Sequence, residues 1–435
     1  MDRMAGRHEL GGLVPEAFLR GLFDRAVAVA DPMRSLAGYL PDRPAGRVLV
    51  VGAGKASARM AEAVEAVWGP CEGLVITRYG YARPCRGIEI VEAAHPVPDA
   101  AGQAATARLI DLVTSAGPED LVLALISGGA SALLVQPVAG ITLADKQALN
   151  AGLLASGAPI MAMNTLRKHL SRVKGGQLAA AAYPARLEAL LISDVPGDDP
   201  AFIGSGPTVG EASTPEDARA VLRDWKVAIP EPVMARVMGA LSRPSQVVRP
   251  DDLRLSRTVN RIIAAPAQSL AAAAAMAGAC DVRLLGDALE GEAREVAAAH
   301  ARMALAAAAA LRPGDRPILF LSGGELTVTR RGDGIGGPNA EYALALAIGL
   351  GGHRGVHALA CDTDGVDGAA EVAGAVVGPG TLHRAVGLGL DPGAALAQND
   401  AHRFFAAVDG QVVTGPTLTN VNDFRAVLVL PPDLD

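Results

Sequence analysis

RVLVVGAGKASARM, residues 47–60, decides the fold. The apolar, β-branched run at 47–51 marks a short strand buried on both faces. A glycine turn follows at once, and a helical stretch then continues through about Val67. Strand, glycine turn and helix in that order are the unit from which parallel sheets are built. The same rhythm recurs outward from it. GLVIT (73–77), IEIVEA (88–93), LVLALIS (121–127) and LEALLIS (187–193) read as further strands. Helices are expected over 15–30, about 100–114 and much of 142–182, the second started by Pro98-Asp99. A doubly wound parallel sheet results, and such sheets bind ligands in the loops at the carboxyl ends of their strands.

Residues 226–260 are rich in Pro and weakly periodic, so a domain boundary is placed near 245. Beyond it RIIAA (261–265), DVRLL (281–285), ILFLS (318–322), ELTVT (325–329), VHALAC (356–361) and RAVLVL (425–430) predict a second, smaller mixed α/β domain. The expected division is 1–245 and 246–435.

A chain of 435 residues is too long for one ordinary core, and 50% hydrophobic residues suffice for two. Aromatics make up only 3%, which suits Ala- and Gly-rich helix–sheet contacts. The net charge of −7 and the lack of a basic stripe argue against nucleic-acid binding. Cys71, Cys85, Cys280 and Cys361 form no C-x-x-C pair, so neither zinc nor a disulfide framework is expected. No secretion signal or membrane span is read, and a reducing cytoplasmic location is expected. Only five lysines occur, Lys55, Lys146, Lys168, Lys174 and Lys226, so a lysine in a glycine turn stands out.

Three loops carry the chemistry. In GAGKAS (52–57) a helix start offers N–H groups to an anion, with Lys55 as a cation at the mouth. Gly52 and Gly54 supply the turn. The loop misses a dinucleotide fingerprint, because Ser57 holds the third glycine position and the second strand ends Thr77-Arg78. It also misses a Walker loop, because Ala56 stands where the magnesium-binding hydroxyl belongs. In SGGAS (127–131) the pair Gly128-Gly129 lets the backbone approach an oxyanion, and Ser127 and Ser131 add donors. In SDVPGDDPAFIGSGPT (193–208) Asp194 follows a buried strand, where a carboxylate can hold Mg²⁺ or orient an attacking hydroxyl. Asp198 is the second candidate metal ligand, and Asp199 reads as a loop acid. The basic stretch RKHLSR (167–172) offers Arg167 or His169 to a carboxylate or phosphate. CDTDGVDG (361–368), with Asp364, lacks the glutamate of a calcium loop. GIGGPNAE (334–341), with Asn339, is a polar glycine loop.

Taken together and in order, GAGKAS, HPVPD, SGGASALL, RKHLSRVKGGQLA, SDVPGDDPAFIGSGPT, SGGELTVT, GGPNAEYALALA, CDTDGVDG and TGPTLTNVND resemble the glycerate 2-kinase family, over residues from about 15 to 430. The C-terminal part resembles that family's MOFRL domain. The resemblance implies a Rossmann-like domain, a smaller α/β domain and a cleft between them. It implies ATP and Mg²⁺ as cofactors and D-glycerate as the small-molecule partner, giving 2-phosphoglycerate. By this resemblance Lys55 matches the lysine that stabilises the transferring phosphate. One position departs: many relatives carry Arg where this chain has Pro338, which leaves that role empty or passes it to another cation, with Arg330, Arg331 and Arg167 as candidates. A homodimer is left open. Some relatives are labelled hydroxypyruvate reductases, so an NAD(P)H-dependent reductase is the first alternative, favoured only by Arg78. A non-catalytic metabolite-binding protein is the second.

Overall fold

The computed structural model describes residues 14–368 and 370–432. They divide into two compact units, one of residues 32–263 and one of residues 14–31 with 264–432. This corrects the expected division at 245 in two ways. The leading helix α1 (Pro15–Ala30) belongs to the second unit, where Phe23 packs against Phe424 with ring centroids 6.0 Å apart. The Pro-rich run is no linker either. Val247 and Val248 are buried, and Val248 N–H donates to Gly175 O of the first unit.

In the first unit the strands are β1 (Val48–Ala53), β2 (Glu72–Arg78), β3 (Ile88–Ala93), β4 (Leu121–Ile126), β5 (Arg186–Ile192) and β6 (Thr258–Ala264). Their order is β3-β2-β1-β4-β5-β6, with parallel pairing from β3 through β5. Every residue of β1 and β4 is buried, as their unbroken apolar runs predict. Helix α2 (Ser57–Trp68) follows β1, and α3 (Ala100–Thr114) follows β3. Ala105, Ala124, Ala130, Ala179 and Ala182 share the core with Leu49, Val51 and Leu109. These short side chains let helix and sheet approach closely, which accounts for the Ala-rich composition.

Strand order runs one way from β1 to β3 and the other way from β4 to β5. The reversal lies between β1 and β4, and their carboxyl ends form the sheet's switch point. Two helices wall this side of the unit, α4 (Leu143–Ala155) and α5 (Ile160–His169). A reciprocal cap starts α4: Asp145 N–H donates to Thr142 Oγ1 at 3.1 Å, and Thr142 N–H to Asp145 Oδ2 at 2.9 Å. Arg236 then binds the Asp145 carboxylate and holds its pKa well below the usual range.

The second unit adds β7 (Asp281–Gly286), β8 (Ile318–Ser322), β9 (Val356–Asp362), β10 (Gly374–Val377), β11 (Gln411–Val412) and β12 (Asp423–Val429). Their order is β11-β10-β9-β12-β8-β7, and only β7 with β8 is parallel among the described pairs, a mixed sheet as expected. Helices α6 (Pro266–Met276), α7 (Ala293–Ala310) and α8 (Pro338–Leu350) accompany it. ELTVT (325–329) is not a strand. Thr327 makes one isolated bridge with Glu292, and Thr329 N–H turns to the Glu292 carboxylate. Its β-branched residues cap the start of α7 instead of joining the sheet.

Candidate active site

The switch point brings two of the predicted turns into direct contact. Ala53 of β1 lies beside Ile126 of β4, so the chains leave the sheet side by side. Lys55 N–H donates to Gly128 O at 2.9 Å, and Ala56 N–H to Ser127 Oγ at 3.0 Å. Gly54 N–H donates to Ile76 O at 3.1 Å and Ser57 N–H to Gly54 O at 3.2 Å. Gly52 lies inside β1, between Val75 and Leu125. This corrects the expectation for residues 52–57. Their amides hold the fold together and are not open to a phosphate. Ser127 is fully buried, and its hydroxyl likewise serves the neighbouring turn. Gly54 is required at its position, because φ is +141° and a Cβ would stand 2.1 Å from Ser127 Oγ.

The second turn differs. Among the described residues the amides of Gly128, Gly129 and Ser131 have no hydrogen-bond partner. Gly129 has φ +83°, and a Cβ there would lie 3.0 Å from His95 Cδ2 and 3.3 Å from Lys55 Cγ. The turn is therefore flanked by an imidazole and by the lysine stem, with open N–H groups suited to an oxyanion. The third loop closes on it as well. Ser205 Oγ lies 2.6 Å from Ser131 Oγ and donates to Asn164 Oδ1 at 3.0 Å.

Beside this turn opens a pocket of about 200 Å³. His95, Gly129 and Ser131 line one part, and Lys146, Asn150, Arg167 and Lys174 another. Leu134, Leu149 and Leu153 give it apolar walls. Arg167 donates to Asn150 Oδ1 and, at 3.5 Å, to Asn164 Oδ1. Lys174 is 2% exposed and donates to Leu134 O. Burial, then the charges of Lys146 and Arg167, push the Lys174 amine well below its usual pKa. Burial lowers Arg167 too.

Of the two residues offered to an anion, Arg167 lines this pocket and His169 does not. The His169 ring is held by Ser213 Oγ at 3.1 Å and Ser245 Oγ at 2.9 Å, away from this pocket. Burial pushes its pKa down, so it stays a neutral strut. Lys168 is a buried partner of Glu211. Asn339 and Asp364 sit in the second unit. Asn339 Nδ2 donates to Asp423 Oδ1 at 2.7 Å, and Asp364 is fully buried with Oδ1 accepting from Val366 N–H at 2.8 Å. Asp423 in turn pairs with buried Arg425 at 2.9 Å.

Asp194 follows β5, whose Leu191 pairs with Ile126 of β4, so it leaves the same sheet edge as Ser127. Asp198 has φ +55°, and its Oδ1 is buried with no partner among the described residues. Asp199 Oδ1 accepts from Ala201 N–H, an Asx turn. No group of three or more His, Cys, Asp or Glu among the described residues is arranged to hold a metal. Magnesium commonly takes only one or two carboxylates and completes its shell with phosphate oxygens and water. Two carboxylates in one loop, one with an unpartnered buried oxygen, fit that hard, oxygen-only requirement.

Sequence reasoning passed over His95, Lys146, Asn150 and Lys174. The scarcity of lysine was the available signal. Of the five, Lys55 flanks Gly129 and two others line the pocket, while Lys168 is paired and Lys226 exposed.

Residues 18–238 match a domain of unknown function, DUF4147, and residues 318–423 match the MOFRL family. The chain is 50% identical over 418 residues to a putative hydroxypyruvate reductase of Agrobacterium vitis, covering 94% of both chains. It is 36% identical to the D-glycerate 2-kinase of Thermotoga maritima, covering 93% of this chain and 96% of that one. The crystal structure of the Thermotoga maritima glycerate kinase superposes with a TM-score of 0.83 at 36% identity, covering 96% of this chain and all of that one.

Proposed function

The chain belongs to the glycerate kinase family with a MOFRL domain, whose activity is phosphotransfer, and on that premise we propose that it transfers the γ-phosphoryl group of ATP to the 2-hydroxyl of D-glycerate. One observation carries the reading: the Lys55 side chain flanks a turn with three open N–H groups at the switch point of a parallel sheet. In phosphoryl transfer most of the acceleration comes from positioning and from stabilising charge on the moving group. The N–H groups of Gly128, Gly129 and Ser131 would receive the phosphoryl oxygens, and the Lys55 ammonium would offset their growing charge. Arg167 would take the glycerate carboxylate. Asp194 would orient the 2-hydroxyl or, with Asp198, hold Mg²⁺. When bound, Mg²⁺ would neutralise charge between the β- and γ-phosphates. Arg167 also supplies a fixed guanidinium near the chemistry in a chain that has Pro338 in place of the family arginine. The cysteines are free, and burial pushes Cys85 and Cys280 up to about 11, so the thiols are inert and suit the cytoplasm.

A coupled ADP assay with D-glycerate tests the reading, and phosphorus NMR of the product locates the phosphate. ADP release that requires glycerate, with 2-phosphoglycerate as product, is expected. Absence of turnover refutes it. The reductase name borne by relatives from Agrobacterium vitis defines the rival. That chemistry would lay a pyrophosphate on the amides of residues 54–57, and these are engaged within the protein. Oxidation of NADH or NADPH by hydroxypyruvate would favour the rival.

A further inference from the structure

The pocket beside the second turn carries more positive charge than its own walls balance. Among the described residues Lys146, Arg167 and Lys174 line it, and no Asp or Glu does. Lys146 is half-buried, and its ammonium has no hydrogen bond or ion pair among the described residues. The Arg167 guanidinium is bonded, among the described residues, only to the neutral amides of Asn150 and Asn164. The Lys174 ammonium is bonded, among the described residues, only to a backbone carbonyl. Cations withdrawn from water are ordinarily paired, so this arrangement is completed by an anionic ligand.

We propose that Lys146 is the specificity-determining residue for the acceptor acid, binding its carboxylate jointly with Arg167 between α4 and α5. The proposal rests on the kinase reading and adds to it a residue and a substrate class, small 2-hydroxy acids held by their carboxylate. Lys146, Leu149, Asn150 and Leu153 are spaced to share one face of α4, and all four line the pocket. Asn150 accepts from Arg167 and so ties the guanidinium to the helix that carries Lys146. The leucine walls lower the local dielectric, which strengthens the pairing of a carboxylate with both cations. Hydrogen bonds run from Arg167 through Asn164 and Ser205 to Ser131, so the carboxylate end of the site is in register with the turn proposed to receive the phosphoryl group.

Electrostatics support the same assignment. Burial, then the charge of Arg167, lower the Lys146 amine to about 8. The charged and titratable groups facing it are Arg167 from α5, Lys174 from the turn after α5 and His95 from the turn after β3. Asp145, next to it on α4, is paired with Arg236. Lys146 is therefore charged below about pH 8 and neutral above. The KM for the acid stays low up to that pH and rises beyond it.

The test compares Lys146→Met and Lys146→Arg with the unaltered protein. It uses steady-state kinetics with D-glycerate at saturating ATP from about pH 6.5 to about 9.5. Calorimetric titration with D-glycerate, without nucleotide, runs in parallel. Loss of one charged hydrogen bond predicts that Lys146→Met raises KM and the dissociation constant roughly 10- to 100-fold, with kcat changed less than about 3-fold. Lys146→Arg should restore a low KM and abolish its rise above about pH 8. A folded Lys146→Met protein with unchanged KM overturns the proposal, as does a pH limb that persists in Lys146→Arg. Should Lys146→Met fail to fold, the arginine variant decides alone. Wild-type protein without turnover refutes the kinase reading separately. The titration then decides the carboxylate site: glycerate binding lost in Lys146→Met supports it, and binding that is absent or unaltered overturns it.

Discussion

At the scale of single residues, Lys55 and His169 show what local sequence conveys. Lys55 stood out because it is a lysine in a glycine turn, and its stem packs beside Gly129. Lys55→Ala is expected to lower kcat/KM for glycerate by roughly 10²- to 10³-fold, the loss typical of one preorganised charge-stabilising donor. Its melting temperature should change far less than its activity, because the amides of residues 54–57 hold the turn. An ADP assay beside a thermal melt checks both statements. His169 read equally well as an anion ligand. Its partners, Ser213 and Ser245, lie 44 and 76 residues further along the chain, beyond any local pattern. Lys146 escaped notice for the matching reason: nothing near it in sequence reveals that it lacks a counter-charge.

At the scale of elements, the two turns at the switch point act as one unit. Ser127 Oγ accepts from Ala56 N–H, and Lys55 N–H reaches Gly128 O. Ser127→Ala would leave a buried amide unpaired, a cost of about 1–3 kcal/mol. Gly54→Ala would force a Cβ into Ser127 at a left-handed φ, a cost of about 2–4 kcal/mol from strain and overpacking combined. Denaturant midpoints should fall in that order, Gly54→Ala furthest; an unshifted midpoint for both would mean that the turns are not mutually supporting. Strands and glycine turns were legible because an apolar run bounded by glycines has few alternatives. ELTVT was misread because β-branched propensity says nothing of whether a sheet edge is within reach. β10 and β11 went unread because Gly374–Val377 and Gln411–Val412 are too short to show a period.

At the scale of the whole molecule, burial of titratable groups sets how stability responds to pH. In the second unit burial pushes His300 and His357 down to about 4, with Arg425 adding to the effect on His300. Both are neutral when folded, whereas the unfolded chain takes up a proton near pH 6.5. The unfolded state therefore binds more protons between about pH 4 and 6.5, and stability is complete above that window and lost as pH falls through it. The loss reaches at most about 3 kcal/mol for each histidine. The melting temperature should drop between about pH 7 and 5, and His357→Leu should flatten the drop; a pH-independent wild-type melt would contradict this. No helix among the described residues is long and apolar enough to cross a membrane. By itself the sequence determined the alternation of strands, turns and helices, the parallel first sheet, the mixed second one and the family, because these follow from local periodicity and ordered motifs. Tertiary structure decided the rest: the return of residues 15–30 to the C-terminal unit, the engagement of the first turn's amides, and the gathering of Lys146, Arg167 and Lys174 around one pocket. Each depends on which distant groups meet and which are left without a partner, and chain-local patterns hold no record of that.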